Sequence, residues 1–425
     1  MEIETKIRLY DYKFRLLRNF GIQQLTKLLE GHIPNYTKLI KAAPGSNNYQ
    51  KIRALLNENV KKGLNDTIID NVLFDSIVHL FPERCYYLKI NTDLTAEKAF
   101  NELFISSKYC PYINRKLSLV VSEEEELISI RKEGEKLIFL FKLGEAELGL
   151  KKEGCNFYVS CILDFRQNHM EIRLNQYLLR NVSKPSTLRL KEVIDYIINI
   201  VNVQLPLALT TAKSGEAKIH KGLYKLFLEE SNKSLKLIKK EVAKSEKESV
   251  EVTEKSFKEN ISKYLKEELH ILNPEPFVEK VMTVKYQDTA KSMEHEKFIR
   301  DGGYIFSFSF IDRRITRSTN RNEEHKPVYY SKIYWSLKDV VKEYGEVSEL
   351  GIYWKFLKGN YFQRLSGKEK DREVSFVEIA LKEIHSVLEI HYYVGDTHSE
   401  LLNHSVKERR IREEYVIQKI KRFIH

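Results

Sequence analysis

Hydrophobic and polar positions along this chain change period several times, and the changes mark out its elements. In residues 13–30 (KFRLLRNFGIQQLTKLLE), Phe14, Leu17, Gly21, Leu25 and Leu28 fall at helical intervals, which predicts an amphipathic helix. His32-Ile33-Pro34 interrupts it and PGSNN (44–48) marks a loop, with further helix expected over 50–62 and 66–80. From 85 to 174 the pattern shortens to strand-length runs: YYLKI, LSLVV, LISIRK, KLIFLFK, FYVSCILDF and MEIRL, with a helix at 95–107 between two of them. An apolar helix over 187–205 is expected to cover that sheet. Residues 216–242 form a second amphipathic pattern, its stripe made of Ile219, Leu223, Phe227, Leu235 and Ile238. The stretch AKSEKESVEVTEKS (243–256) is charged and thin in large apolar groups, so it is either an exposed helix or a linker. Beyond NPEPF (273–277), strands are expected at FVEKVMTVKY, YIFSFSFI, PVYYSKIYW and GIYWKFL, followed by helices over 374–388 and 405–424.

These elements describe an α+β protein of two domains with mixed or antiparallel sheets and covering helices, joined by a charged helical segment. The expected division is an N-terminal domain over 1–215, a charged helical connector over 216–272 and a C-terminal domain over 273–425 ending in a basic helix. A length of 425 residues exceeds what one hydrophobic core usually organises. With 42% hydrophobic and 31% charged residues, the chain has the composition of a folded protein. Only 17 glycines and 9 prolines argue against a many-turned β-sandwich. The start, MEIETKIRLYDYKF, has no apolar h-region, so no secretory leader is expected. The run VIDYIINIVNVQLPLAL (193–209) is broken by Asp195 and Pro206 and is not a bilayer span. Four cysteines, Cys85, Cys110, Cys155 and Cys161, do not make a disulfide framework. The expected setting is therefore cytoplasmic, with reduced thiols and no membrane contact. Cys155 and Cys161 share strand parity with Phe157 and Leu163, which places both thiols in a core.

Charge narrows the partner classes. The net charge is +11 with a pI near 9.1, which favours polyanions. Residues 1–62 hold twelve Lys/Arg against five acids, whereas residues 63–215 hold nineteen basic against twenty acidic side chains. Three stretches concentrate the excess. The first is KIRLYDYKFRLLRNF (6–20), with Lys6, Arg8, Lys13 and Arg15 among aromatic rings. The second is DRRITRSTNR (312–321), with Arg313, Arg314, Arg317 and Arg321 after the strand YIFSFSFI. The third is the terminal helix, with Arg409, Arg410 and Arg412. Guanidinium groups suit bidentate phosphate contact. The aromatic-rich segment 329–362, which contains both tryptophans, either stacks bases beside these cations or packs as core.

Several catalytic signatures are absent. Gly144 to Gly149 has the glycine spacing of a Walker A loop, but Leu150 stands where lysine must reach the phosphates. There is no GxGxxG, GxSxG, HExxH or CxxC pair. Two weaker constellations remain. In CNFYVSCILDFRQNHMEIRL (155–174), Asp164 ends one strand while Glu171 and Arg173 share a face of the next. That arrangement suits a divalent ion and phosphodiester attack. It resembles the D…(E/D)xK core of restriction-type nucleases, with arginine in place of the lysine. The segment EIHSVLEIHYYVGDTHSELLNH (383–404) holds four of the twelve histidines, and Glu389, His391, Asp396 and His398 are its candidate metal ligands. If a strand begins near Leu388, Glu389 and His391 share a face.

The expectation is a cytosolic protein that binds DNA or RNA without catalysis, as one subunit of a larger assembly. A protein-interaction subunit without a small-molecule site is the first alternative, and a metal-dependent nuclease or phosphodiesterase the second. No organic cofactor is expected, and a divalent metal is the one inorganic group these patterns admit.

Overall fold

The computed structural model describes residues 14–61, 66–120, 126–148, 153–185, 188–246, 249–312, 316–358, 374–393 and 406–424. By its internal contacts the chain divides into two compact units. The first comprises Met1–Ser214 and His404–Arg410, and the second Gly215–Asn403 and Ile411–His425. The architecture is α+β, and the ladders within each unit are antiparallel.

The first unit opens with helices α1 (Phe14–Leu17), α2 (Ile22–Glu30), α3 (Tyr36–Ala42), α4 (Asn48–Lys61) and α5 (Asp66–Asp75), the last continuing into a wide turn at Ser76–Leu80. Then come β1 (Arg84–Thr92), α6 (Ala96–Ile105), β2 (Leu127–Glu133), β3 (Lys136–Leu148), β4 (Glu153–Asp164), β5 (His169–Leu174), α7 (Gln176–Arg180), β6 (Val182–Lys184), α8 (Leu190–Asn199) and β7 (Leu209–Ala212). The strands run β2-β3-β4-β5-β1, with β7 beside β1 and β6 against the far half of β3. One face of this sheet, carrying Ile138, Leu140, Tyr158 and Ile162, packs under the first five helices against Leu17, Phe20, Leu56, Leu73 and Phe74. Thr95 caps α6 by accepting from the Lys98 amide at 3.3 Å, a local signal that fixes where that helix starts. LSLVV departs from expectation: Leu117–Leu119 is a 3₁₀ turn, and Asp70 holds the Leu117 amide at 2.7 Å.

The second unit begins with α9 (Glu216–Glu246), α10 (Val250–Glu267), α11 (Glu275–Ser292) and α12 (His295–Arg300). It continues through β8 (Gly303–Asp312), β9 (Thr316–Arg321), α13 (Lys332–Tyr344), β10 (Glu349–Leu357), β11 (Val374–Ile384) and β12 (Val387–Tyr392) to α14 (Val406–Ile424), of which the part from Ile411 belongs to this unit. The strand order is β9-β8-β10-β11-β12. Residues 216–272, the expected connector, fall inside this unit. Ile219, Leu223, Leu226 and Phe227 of α9 are buried, and the helix packs along β8, β10, β11 and β12. Gly222 lets α9 approach α14 closely, since a Cβ there would stand 2.7 Å from the Phe423 carbonyl oxygen.

Three expectations for this unit are corrected. FVEKVMTVKY lies in helix α11, not a strand. Its apolar residues form two helical stripes, Val278, Met282, Tyr286 and Ala290 buried and Phe277, Val281 and Val284 exposed, and the two together imitate alternation. PVYYSKIYW is a 3₁₀ turn followed by α13, which Ser331 caps by accepting from the Ile333 amide at 3.2 Å. The expected helix over 374–388 is instead the β11–β12 hairpin, turning at His385 and Ser386 with φ of 52° and 66°. Two consecutive positive φ values are what a type I′ two-residue hairpin turn requires.

Candidate functional site

The β4–β5 hairpin brings Asp164, Glu171 and Arg173 to one face of the sheet. Asp164 pairs across from His169, and Glu171 from Ile162 and Tyr87. The face is the one beneath the N-terminal helices, so the three side chains point into the core, each 2% exposed. There Glu171 and Arg173 form a buried polar chain with His169 and His79. Glu171 Oε2 accepts from Arg173 Nε and Nη2 at 2.9 and 2.6 Å, and His169 Nε2 lies 2.9 Å from Oε1. Arg173 Nη1 reaches His79 Nδ1 at 2.8 Å, and Arg410 meets the other ring nitrogen of His79 at 3.3 Å. Burial alone would raise the Glu171 carboxyl, but Arg173 and His169 outweigh it and hold the group well below the ordinary carboxylate range. Asp164 accepts from the Gln167 amide at 2.8 Å, closing the hairpin turn, and pairs with Lys136 at 3.3 Å. Both carboxylates are thus buried and paired with protein groups, an arrangement that serves packing.

The arginine candidates separate by environment. Lys6, Arg8, Lys13, Arg313 and Arg314 lie outside the described residues. Arg15 pairs with Glu145. Arg409 donates to the Pro82 carbonyl at 3.3 Å, and Arg410 bridges Glu133 at 2.7 Å and Asp75 at 3.5 Å. Burial pushes the Asp75 carboxyl up to about 6, with Glu133 adding to that shift and Arg410 opposing it. Arg412 lies 3.5 Å from Ser375 Oγ. In α14, Ile411, Tyr415, Val416, Ile417, Ile420 and Ile424 are buried, so its apolar stripe is already covered. Arg317 and Arg321 are exposed on the edge strand β9, Arg321 lying 3.2 Å from His325. The aromatic segment is mostly core: Tyr329, Tyr334, Trp335, Tyr353 and Trp354 are all buried, and Tyr304 stacks on Tyr353 at 5.2 Å.

Lysines outside the three basic stretches prove to be the most accessible cations of the first unit's helical layer. Residues 14–61 hold eight Lys/Arg against two acids, Glu30 and Glu58. Lys27, Lys38 and Lys41 are exposed on α2 and α3, Lys51 and Arg53 are half-buried on α4, and Glu30 bonds Thr37 at 3.0 Å. The basic excess over 1–62 signals this face in the sequence, but its cations are scattered singly or in pairs and form no local run.

In the histidine segment, Glu389 and His391 do share a face of β12, opposite Lys382 and Ala380 of β11. Glu389 is buried, while half-buried His391 packs against Tyr393 with ring centroids 4.3 Å apart. Asp396 and His398 lie outside the described residues. Among the described residues, the group of three or more metal-type donors within reach of one another is a different one: Glu216 and His220 of α9 with Glu383 of β11. Its sequence signal is Glu and His spaced i,i+4, which places both on one helix face. Glu383 joins them only through tertiary structure. No family model, curated protein or solved structure matches this chain.

Proposed function

We propose that this chain binds nucleic acid through the outer face of its N-terminal helical layer and does not cleave it. The observation that carries the reading is the imbalance of eight basic to two acidic residues over 14–61, with Lys27, Lys38 and Lys41 exposed on successive helices. Exposed lysines on a face with few acids release counterions when they meet phosphates, and such binding is sequence-tolerant and salt-dependent. A non-catalytic role is supported by the burial of Asp164, Glu171 and Arg173, which leaves the nuclease-like hairpin no exposed carboxylate. The test is fluorescence anisotropy of labelled single- and double-stranded oligonucleotides from 50 to 300 mM salt, on the order of the range where phosphate contacts are lost. The wild type is expected to show log affinity falling linearly with log salt. Lys27, Lys38 and Lys41 changed together to alanine should lower the slope by about 2–3. No binding at the lowest salt, or an unchanged slope in the triple variant, would overturn the proposal.

A protein-partner role has one observation in its favour. Val252, Tyr264, Leu269, Leu272, Phe277, Val281 and Val284 are exposed on and between α10 and α11, with Leu272 at 98%. A helix that is apolar on two faces has more surface to bury than its own unit covers. The outer stripe of α11 is therefore where a second reading would begin, and it is compatible with the first.

A further inference from the structure

We infer that Glu216, His220 and Glu383 form a binding site for a divalent transition-metal ion of the zinc or manganese kind. Three segments of the second unit converge on it. Gly215 leads into the first turn of α9, which carries Glu216 and, one turn on, His220. The β11–β12 turn holds Glu383, whose Oε1 accepts from the Ser386 amide at 2.7 Å. The loop after α13 brings Glu346. Backbone bonds tie the segments together: the Gly215 amide to the Ser386 carbonyl at 3.3 Å, the Val347 amide to the His220 carbonyl at 3.3 Å, and the Glu383 amide to the Ser348 carbonyl at 3.2 Å.

The observation that points to a ligand is the imidazole. His220 is 2% exposed, and its Nε2 is buried with no hydrogen-bond partner. Leaving such a nitrogen unpaired is costly, and Glu383 Oε2 stands 4.0 Å from it, beyond hydrogen-bond reach. One donor atom from each of Glu216, His220 and Glu383 lies within 4.8 Å of the other two. Tetrahedral ligands held about 2.0–2.2 Å from a shared ion sit about 3.3–3.6 Å apart, so side-chain rotation that draws the donors in by about an ångström closes the set. On the other side of the ring, Glu346 Oε2 stands 3.8 Å from Nδ1, outside hydrogen-bond reach but on the side from which a carboxylate would orient a metal-bound histidine.

The chemistry of the donors selects the ion. Two carboxylates and one neutral imidazole offset a double positive charge; the imidazole suits zinc and the two carboxylates also admit manganese, against the all-oxygen sets of six or more ligands that calcium takes. The exposed side chain of Glu216 leaves one side open to solvent, so ions can enter and a fourth position remains for water. This inference stands independently of the nucleic-acid reading.

The test uses the full chain stripped with chelator and titrated calorimetrically with zinc chloride and, separately, manganese chloride. One equivalent is expected to bind, with a rise in thermal midpoint. Glu216→Gln, an exposed change that leaves the core intact, should weaken binding at least tenfold and remove the thermal shift. Glu383→Gln should do the same, and Glu346→Gln should cost about tenfold. His220→Asn should abolish binding, and circular dichroism of that variant distinguishes a lost ligand from a lost fold. Absence of binding to both ions, or one-equivalent binding unchanged in Glu216→Gln and Glu383→Gln, would overturn the assignment.

Discussion

Replacing Arg173 with methionine keeps most of the side-chain volume but leaves the Glu171 carboxylate in the core without its guanidinium. Both groups are 2% exposed, and the substitution removes hydrogen bonds of 2.6 and 2.9 Å. Removing one partner of a buried ion pair costs about 3–5 kcal/mol, a large share of the roughly 5–15 kcal/mol that holds a typical protein folded. The pH dependence identifies the cause. In the wild type the folded pKa of Glu171 lies below its unfolded value, because Arg173 and His169 overcome burial. Its stabilising contribution is therefore complete above about pH 4.3 and is lost as the pH falls toward the depressed value. In the variant, burial is no longer opposed by Arg173 and the folded pKa moves above the unfolded one. The penalty is then absent in acid and grows as pH rises above about 4.3. The deficit should accordingly shrink by about 1–2.5 kcal/mol between pH 7 and pH 5. Amide hydrogen exchange of peptides spanning β4 and β5, corrected for intrinsic rates, reads this locally. Trp335 and Trp354 belong to the second unit, so their fluorescence is the control and not the readout. Changing Glu171 and Arg173 together to leucine removes both charges and should leave the protein within about 1–2 kcal/mol of wild type. A single-variant cost below about 1 kcal/mol, a deficit equal at both pH values, or a double variant worse than the single would refute the reasoning.

Two further outcomes follow from local geometry. Gly303 opens β8 at φ +128°, and a Cβ there would lie 2.0 Å from the Tyr353 carbonyl oxygen; Gly303→Ala should destabilise the second unit by about 2–3 kcal/mol, seen as a lower urea midpoint in Trp354 fluorescence, and an unchanged midpoint would contradict that backbone contact. Cys85, Cys155 and Cys161 are buried and burial pushes the Cys155 thiol up to about 11, whereas Cys110 is exposed. A disulfide reagent at neutral pH should therefore titrate one thiol in the native protein and four in denaturant, with the native reaction lost in Cys110→Ser; more than one fast native thiol would count against the burial of the other three.

The helix with Ile219, Leu223 and Phe227 stands where its single apolar stripe put it. The strands from Leu127 to Leu174 are buried on both faces, and short apolar, β-branched and aromatic runs between turn residues located them. Helix α11 and strand β11 offer neither signal. Phe277, Val281 and Val284 add a second apolar stripe to α11, while in β11 the buried set includes Glu378 and Ala380 as well as Val377, Ile379 and Leu381. Neither segment keeps the phase that tells 3.6 from 2. The β11–β12 turn was further disguised by its residues, since His385 and Ser386 take positive φ without the Asn or Gly that advertises such a turn. The same turn decides what could be known of the candidate metal site. The i,i+4 spacing of Glu216 and His220 is visible in the sequence, but only the hairpin carries Glu383, 163 residues beyond His220, to the same place. A cluster built by such long-range closure has no motif of its own. The Asp164–Glu171–Arg173 pattern was legible because it is local; the structure buries all three, pairing Glu171 with Arg173 and Asp164 with Lys136. In this chain, then, the local acidic and basic pattern does the work of packing, and the proposed metal donors are gathered by a long-range closure that no short motif contains.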